Sequence, residues 1–217
     1  MEELIGGVEV DEIDDRICGE LDEKNRALNE YVQGQSPENV IQVRVQQLAI
    51  CKVLVNIHRK NLFILVAAYC NLGQAYLENK YYEQALDHLT TALKLNGSLF
   101  SKLEETKQFH AHILTQLGKC YMEAGNLNDA LGLLEKSLKM NKTVLGEEHP
   151  SNASILMTLS QIHSRKKDYE TAITLLSQVW ELTEAHFGLK SPQTANVYLE
   201  LAKVYLKKKD FEQAINF

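Results

Sequence analysis

One phrase returns four times along this chain, and its spacing constrains the fold more than any other feature. It reads Leu72-Gly73-Gln74-Ala75-Tyr76, then Leu117-Gly118-Lys119-Cys120-Tyr121, then Leu159-Ser160-Gln161-Ile162-His163, and finally Leu201-Ala202-Lys203-Val204-Tyr205. The leucines are separated by 45, 42 and 42 residues. Thirteen residues after each leucine stands an alanine (Ala85, Ala130, Ala172 and Ala214), and four residues beyond the first three stands a leucine (Leu89, Leu134 and Leu176). Linked internal spacings of this kind mark one structural unit copied along the chain.

The unit is helical. Tyr69, Leu72 and Tyr76, like Leu114, Leu117 and Tyr121, stand three and four residues apart, which places them on one helical face. The small residues Gly73, Gly118, Ser160 and Ala202 lie beside them, where a neighbouring helix can come close. Ala85, Leu89 and Ala92 form the matching face of a second helix. Short polar turns separate the two: Gly125-Asn126, Lys167-Asp168 and Lys209-Asp210. Asn126, Asp168 and Asp210 are N-cap residues, whose side-chain oxygens accept orphan backbone N–H bonds. Each unit is therefore a helix–turn–helix hairpin that cannot bury both faces alone and must stack on its neighbours. The scarcity of Pro (3) and Gly (11) agrees, since a β-rich chain of this length needs many tight turns.

The aromatic or leucine opening, the Leu-Gly-x-x-Tyr phrase, the alanine and the later leucine resemble the tetratricopeptide-repeat family over residues 62–217. The resemblance implies an all-α, right-handed superhelical α-solenoid. The period is 42 rather than the usual 34 residues. Gly146-Glu-Glu-His-Pro150-Ser-Asn-Ala153 aligns with Gly188-Leu-Lys-Ser-Pro192-Gln-Thr-Ala195, so the extra length is expected between repeats, with glycine ending one helix and proline opening the next. This is similar to the long-repeat subclass of kinesin light chains and nephrocystin-3.

The resemblance also implies a site. In the family, first helices line a concave groove, and position by position this gives three rows: Gln74, Lys119, Gln161 and Lys203; Cys70, Thr115, Met157 and Leu199; Glu78, Glu123, Arg165 and Lys207. The lysine, asparagine and arginine clamp of chaperone-binding members is missing. Its positions read Cys70, Gln74, Gln116, Ser154 and Thr158, or one repeat on Thr115, Lys119, Thr158, Asn196 and Glu200. The groove carries a charge gradient, from Glu78 and Glu123 to Arg165–Lys167 and Lys207–Lys209. Read functionally, the basic end attracts an acidic peptide or helical segment; read plainly, those lysines are solvated turn residues.

The ends differ from the repeats. Residues 1–30 hold eleven acidic against three basic side chains, so 1–35 is expected to be an acidic arm or one short helix near Ile17–Val32. Ser36-Pro37 opens a further helix to about His58 (36–60), ahead of an array over 61–217. Phe217 falls inside the second helix of the fourth repeat, from which a truncated fourth repeat and a longer natural chain are expected.

Other functions find little footing. The net charge of −6 argues against nucleic-acid binding. The apolar run Leu62–Cys70 is too short to insert in a membrane. Cys18, Cys51, Cys70 and Cys120 form no CxxC pair, and the start lacks a secretory pattern, which points to a reducing cytoplasmic compartment. The sequons at Asn96, Asn141 and Asn152 then read as chance matches. No phosphate loop, dinucleotide fingerprint or hydrolase motif is present. His110 and His112 point to different helix faces, and His163 and Trp180 read as packing residues. The expectation is no enzyme activity, no metal and no cofactor. The function expected is a protein-interaction adaptor or scaffold; the rivals are a structural subunit of a ciliary or microtubule-associated assembly, which would place the chain at the cilium or cytoskeleton, and an accessory domain of a larger enzyme.

Overall fold

The computed structural model describes residues 10–58, 62–99 and 104–217. Ten α-helices and no strand occur among them: α1 (Val10–Tyr31), α2 (Pro37–His58), α3 (Leu62–Glu78), α4 (Tyr82–Leu99), α5 (Glu104–Glu123), α6 (Leu127–Leu145), α7 (Ser151–Arg165), α8 (Tyr169–Phe187), α9 (Pro192–Lys208) and α10 (Phe211–Ile215). Two compact units divide the chain, Met1–Leu95 and Asn96–Phe217.

In the first unit the acidic stretch is helical from Val10 onward, while Met1 to Glu9 lie outside the described residues. Cys18, with Leu21 and Leu28, packs against Ile50 and Leu54 of α2. The other side of α2 presents Leu48 and Cys51 to Ala68 and Leu72 of α3. A helix covered on two sides needs apolar residues around much of its circumference, which is why α2 reads as less amphipathic than a surface helix. It starts at Pro37 and runs to His58, as the Ser36-Pro37 signal predicts.

In the second unit α5 with α6, and α7 with α8, form the expected hairpins, followed by α9 and the short α10. The turns are alike. Gly125, Lys167 and Lys209 adopt left-handed backbone at φ 89°, 65° and 65°. The next residue then donates its N–H back across the helix end, Asn126 to the Tyr121 carbonyl, Asp168 to His163 and Asp210 to Tyr205, at 2.9, 2.9 and 3.0 Å. Asn126, Asp168 and Asp210 cap the following helices by accepting from the N–H of Asp129, Thr171 and Gln213.

The long period is carried mainly by helix. The connections Gly146–Pro150 and Gly188–Ser191 span only five and four residues, while α6 and α8 run 19 residues each. The expectation that the extra length sits between repeats is corrected accordingly: added turns of the second helix bury more apolar surface than added loop would. Pro192 opens α9 behind the N-cap Ser191, but Pro150 stands one residue before α7 begins.

The repeat glycine marks the closest approach within a hairpin. A Cβ on Gly118 would lie 2.6 Å from Leu134 Cγ, and one on Gly73 would lie 2.7 Å from Leu89 Cγ. Both leucines are fully buried, so neither can swing away. Gly118→Ala is expected to lower stability by about 1 kcal/mol, because overpacking of about 1–3 kcal/mol outweighs the gain in helix propensity. Gly132→Ala, on the exposed face of α6 with open space around it, should instead raise stability by about 0.4–1 kcal/mol. Denaturation midpoints of the two variants check this pair of opposite signs.

Candidate functional site

On the second unit, α5, α7 and α9 share a recess lined by Glu123, Gln161, Arg165, Glu200, Lys203 and Lys207. The side chains come from equivalent turns of three first helices, because a repeat of 42 residues returns Glu123, Arg165 and Lys207 to the same register. Arg165 bridges α7 to α5, donating from Nη1 to the Met122 carbonyl at 2.8 Å and from Nη2 to Glu123 Oε1 at 2.7 Å. Lys203 Nζ lies 2.7 Å from Glu200 Oε1. Lys207 Nζ donates to Ser164 Oγ at 3.4 Å.

These pairs alter the sequence-derived gradient. Arg165 is neutralised by Glu123, Lys166 donates to Asn128 Oδ1, and Lys208 is paired with Glu170 at 2.7 Å. Hydrogen bonding to Glu170 raises the Lys208 pKa above its ordinary value. Within the recess the surplus is a single positive charge, from Arg165, Lys203 and Lys207 against Glu123 and Glu200.

The middle row of the expected groove does not hold as a surface. Cys70 is only 1% exposed, with its thiol pushed up to about 12 by burial. Thr115 is 6% exposed, donates to the Ala111 carbonyl at 3.0 Å and meets Ser137 Oγ at 2.8 Å. Neither can meet a partner without opening the hairpin, so both are removed from the candidate site. Met157 is half-buried against the core formed by Leu156, Leu176 and Val197, and Leu199 alone of that row is exposed. In the first unit Gln74 and Glu78 remain at the surface of α3, joined by a 3.0 Å hydrogen bond.

Of the residues set aside as packing groups, Trp180 packs on the α8–α9 core and donates its indole N–H to Tyr198 at 3.0 Å, whereas His163 contacts the cap residue Asp168 at 2.9 Å. Burial pushes the Cys51 and Cys120 thiols up to about 11, far from the range of a reactive thiolate. All three sequon asparagines, Asn96, Asn141 and Asn152, are buried. A second recess, between α5, α6 and α7, is lined in part by Thr115, Gln116, Lys119 and Ser154, which the groove rows and clamp positions had marked, and by Gln108 and Asn141, which they had not. Asn141 belongs to no repeated phrase, so periodicity gives no signal for it.

The paired helices, glycine contacts and recurring caps define a tetratricopeptide solenoid pattern. Family models described as tetratricopeptide repeat match residues 66–99, 109–185 and 195–217, and the chain is a tetratricopeptide-repeat protein. It is similar to the nearly identical repeats of a kinesin-light-chain-like protein of Podosopora anserina, at 19% identity and TM-score 0.69, with 92% of this chain and 91% of that chain covered. It is also similar to BtubC (BKLC) of P. vanneervenii, at 17% identity and TM-score 0.63, covering 94% and 87%. A third similar structure is YrrB, described as a tetratricopeptide protein with an unusual peptide-binding site, at 15% identity and TM-score 0.52, covering 81% and 75%. A search of curated protein sequences returned no match. Among the described residues no helix is long and apolar enough to cross a membrane, and no cluster of potential metal ligands occurs.

Proposed function

We propose that this chain is a protein-interaction adaptor, and that the α5–α7–α9 surface holds a segment of a partner protein. The observation that carries this reading is the convergence of charged side chains from three successive first helices on one open recess. Stacked repeats present such surfaces on a rigid backbone, so little ordering cost falls on the adaptor when it binds. The similar protein YrrB carries a peptide-binding site, which supports a peptide as the kind of ligand. The recess favours a segment with a carboxylate, because Lys207 has a hydroxyl but no acidic partner while its neighbours are already paired. The exposed Leu199 on the same helix supplies an apolar contact. None of the cysteines Cys18, Cys51, Cys70 and Cys120 is in a disulfide, which fits a reducing cytoplasmic setting.

The test is an array of short acidic, neutral and basic peptides probed with the chain and with a Lys203→Glu, Lys207→Glu double variant. Acidic peptides should be retained by the parent chain at low salt and released as salt rises. The double variant should bind them about tenfold more weakly. Equal retention by the two proteins would remove the recess as the binding surface.

A further inference from the structure

The second unit carries a third recess, of about 460 Å³, between the second helices α6 and α8. Glu147 and Glu148 of the connection after α6, Leu156 of α7, and Glu181, Leu182 and Ala185 of α8 line it, and none of them stands at a groove or clamp position. Part of the lining is apolar: Leu156 belongs to the core that Leu182 packs against, and Ala185 follows Leu182 along α8. The rest is acidic. Lys142 is taken up by Glu147 at 2.6 Å, while Glu148 and Glu181 form no ion pair among the described residues. Three carboxylates against one ammonium leave the recess two negative charges. His186 turns its Nδ1 hydrogen to the Leu182 carbonyl at 3.0 Å. Helix stacking does not demand these carboxylates. One repeat on, the place of Glu148 is held by Lys190, and one repeat back that of Glu181 is held by Lys139. Their meeting at one joint is therefore particular to this recess.

We propose that this recess is a docking site for an arginine side chain on a basic segment of a partner protein, with the guanidinium paired to Glu148 and Glu181 and the methylene stem laid on Leu182 and Ala185. Charge complementarity selects the occupant. Two uncompensated carboxylates attract a cation and repel the phosphates of nucleic acids and of anionic lipid surfaces. No group of three side chains placed to hold a metal occurs among the described residues, so the cation that fits is organic. Arginine suits the mixed lining better than lysine. Its planar fork of N–H donors engages two carboxylates at once, it is more weakly hydrated than an ammonium, and its stem covers apolar surface. Arginines seated in such pockets are frequent anchors of protein interfaces. The recess is also opposite in sign to the Lys203 and Lys207 surface, so the two faces draw different partners and do not compete for one.

The two sites share no residue, so the acidic-peptide test above can fail without touching this one. The experiment uses the isotopically labelled full chain and follows its backbone amides at constant ionic strength. The probe is a short peptide with one arginine between two leucines, alongside versions in which lysine or uncharged citrulline replaces the arginine. The arginine peptide is expected to move the amides of Glu148, Glu181, Leu182 and Ala185 to saturation. The lysine peptide should bind at least about threefold more weakly, and the citrulline peptide should leave these amides in place. Glu148→Gln combined with Glu181→Gln changes two exposed side chains. That variant should weaken arginine binding at least about tenfold, with the rest of the fingerprint unchanged. Unmoved amides with the arginine peptide would overturn the proposal, as would an equal response to citrulline or undiminished binding by the folded double variant. Equal binding of the lysine peptide would overturn the assignment to arginine. Movement of the same amides on raising the concentration of the chain alone would assign the recess to a second copy, and would overturn the partner.

Discussion

Leu134→Ala is expected to destabilise the second unit by about 2–5 kcal/mol, the range for truncating a fully buried leucine in a tightly packed core. Leu134 has no exposed surface and faces two partners at once. Its Cγ fills the space that Gly118 leaves open on α5, and its side chain packs among Met122, Ala130, Ile155, Leu159 and Ile162. The removed methyl groups therefore come from the seam within one hairpin and from its contact with the next helix. Collapse into the void is resisted on the α5 side, because Gly118 has no side chain to follow. Repeat arrays derive their stability from nearest-neighbour contacts, so the loss should be concentrated locally. Hydrogen exchange should accelerate most in α5, α6 and α7, with α9 less affected. Leu134→Met, which nearly conserves volume, should cost under about 1.5 kcal/mol. A denaturation loss below about 1 kcal/mol for Leu134→Ala would contradict this account of the seam.

Such seams were legible from sequence because they obey a period. Gly118, Ala130 and Leu134 keep fixed offsets, and each is explained by one contact between two helices. The caps Asn126, Asp168 and Asp210 were legible for the same reason, since capping is local chemistry. The third repeat shows where the rule relaxes: Ser160 replaces glycine and is still buried, with its hydroxyl turned back to the Met157 carbonyl at 2.7 Å. The candidate site was less legible. Position in the repeat marked Glu123, Arg165 and Lys207 for one surface, but the ion pair between Glu123 and Arg165 spans 42 residues and follows from stacking distance. Thr115 was misplaced because a hydroxyl on a first helix reads as surface until a buried Ser137 is found opposite it. The place of Asn141 beside the α5–α6–α7 recess was not legible either, because it depends on what three helices leave empty between them.

Asn152→Ala should cost about 1–3 kcal/mol, although the residue reads in sequence as an unremarkable loop position. Its side chain is fully buried, and Nδ2 donates to the Gly146 and Glu147 carbonyls, each at 2.9 Å. Gly146 turns the chain out of α6 at φ 99°, a conformation that glycine adopts without steric penalty. The asparagine, in the first turn of α7, then ties that turn down. One repeat later Thr194 occupies the aligned position, is equally buried, and donates its hydroxyl to the Gly188 carbonyl at 2.9 Å. Two different residues thus make the same bond to the same glycine carbonyl, so the position requires a buried donor rather than an amide as such. The exposed loop carbonyls can turn to water once the bond is lost, which keeps the cost below that of two fully buried orphans. Asn152 Oδ1 is itself without a partner, so the amide is an imperfect fit and a hydroxyl loses little by replacing it. Asn152→Thr should therefore retain most of the stability that Asn152→Ala loses, and Thr194→Val, which keeps shape and removes the hydroxyl, should fall by a similar amount to Asn152→Ala. Equilibrium denaturation of the three variants decides the matter: equal losses for Asn152→Thr and Asn152→Ala would mean that packing, and not the donated hydrogen bond, holds the joint between successive hairpins.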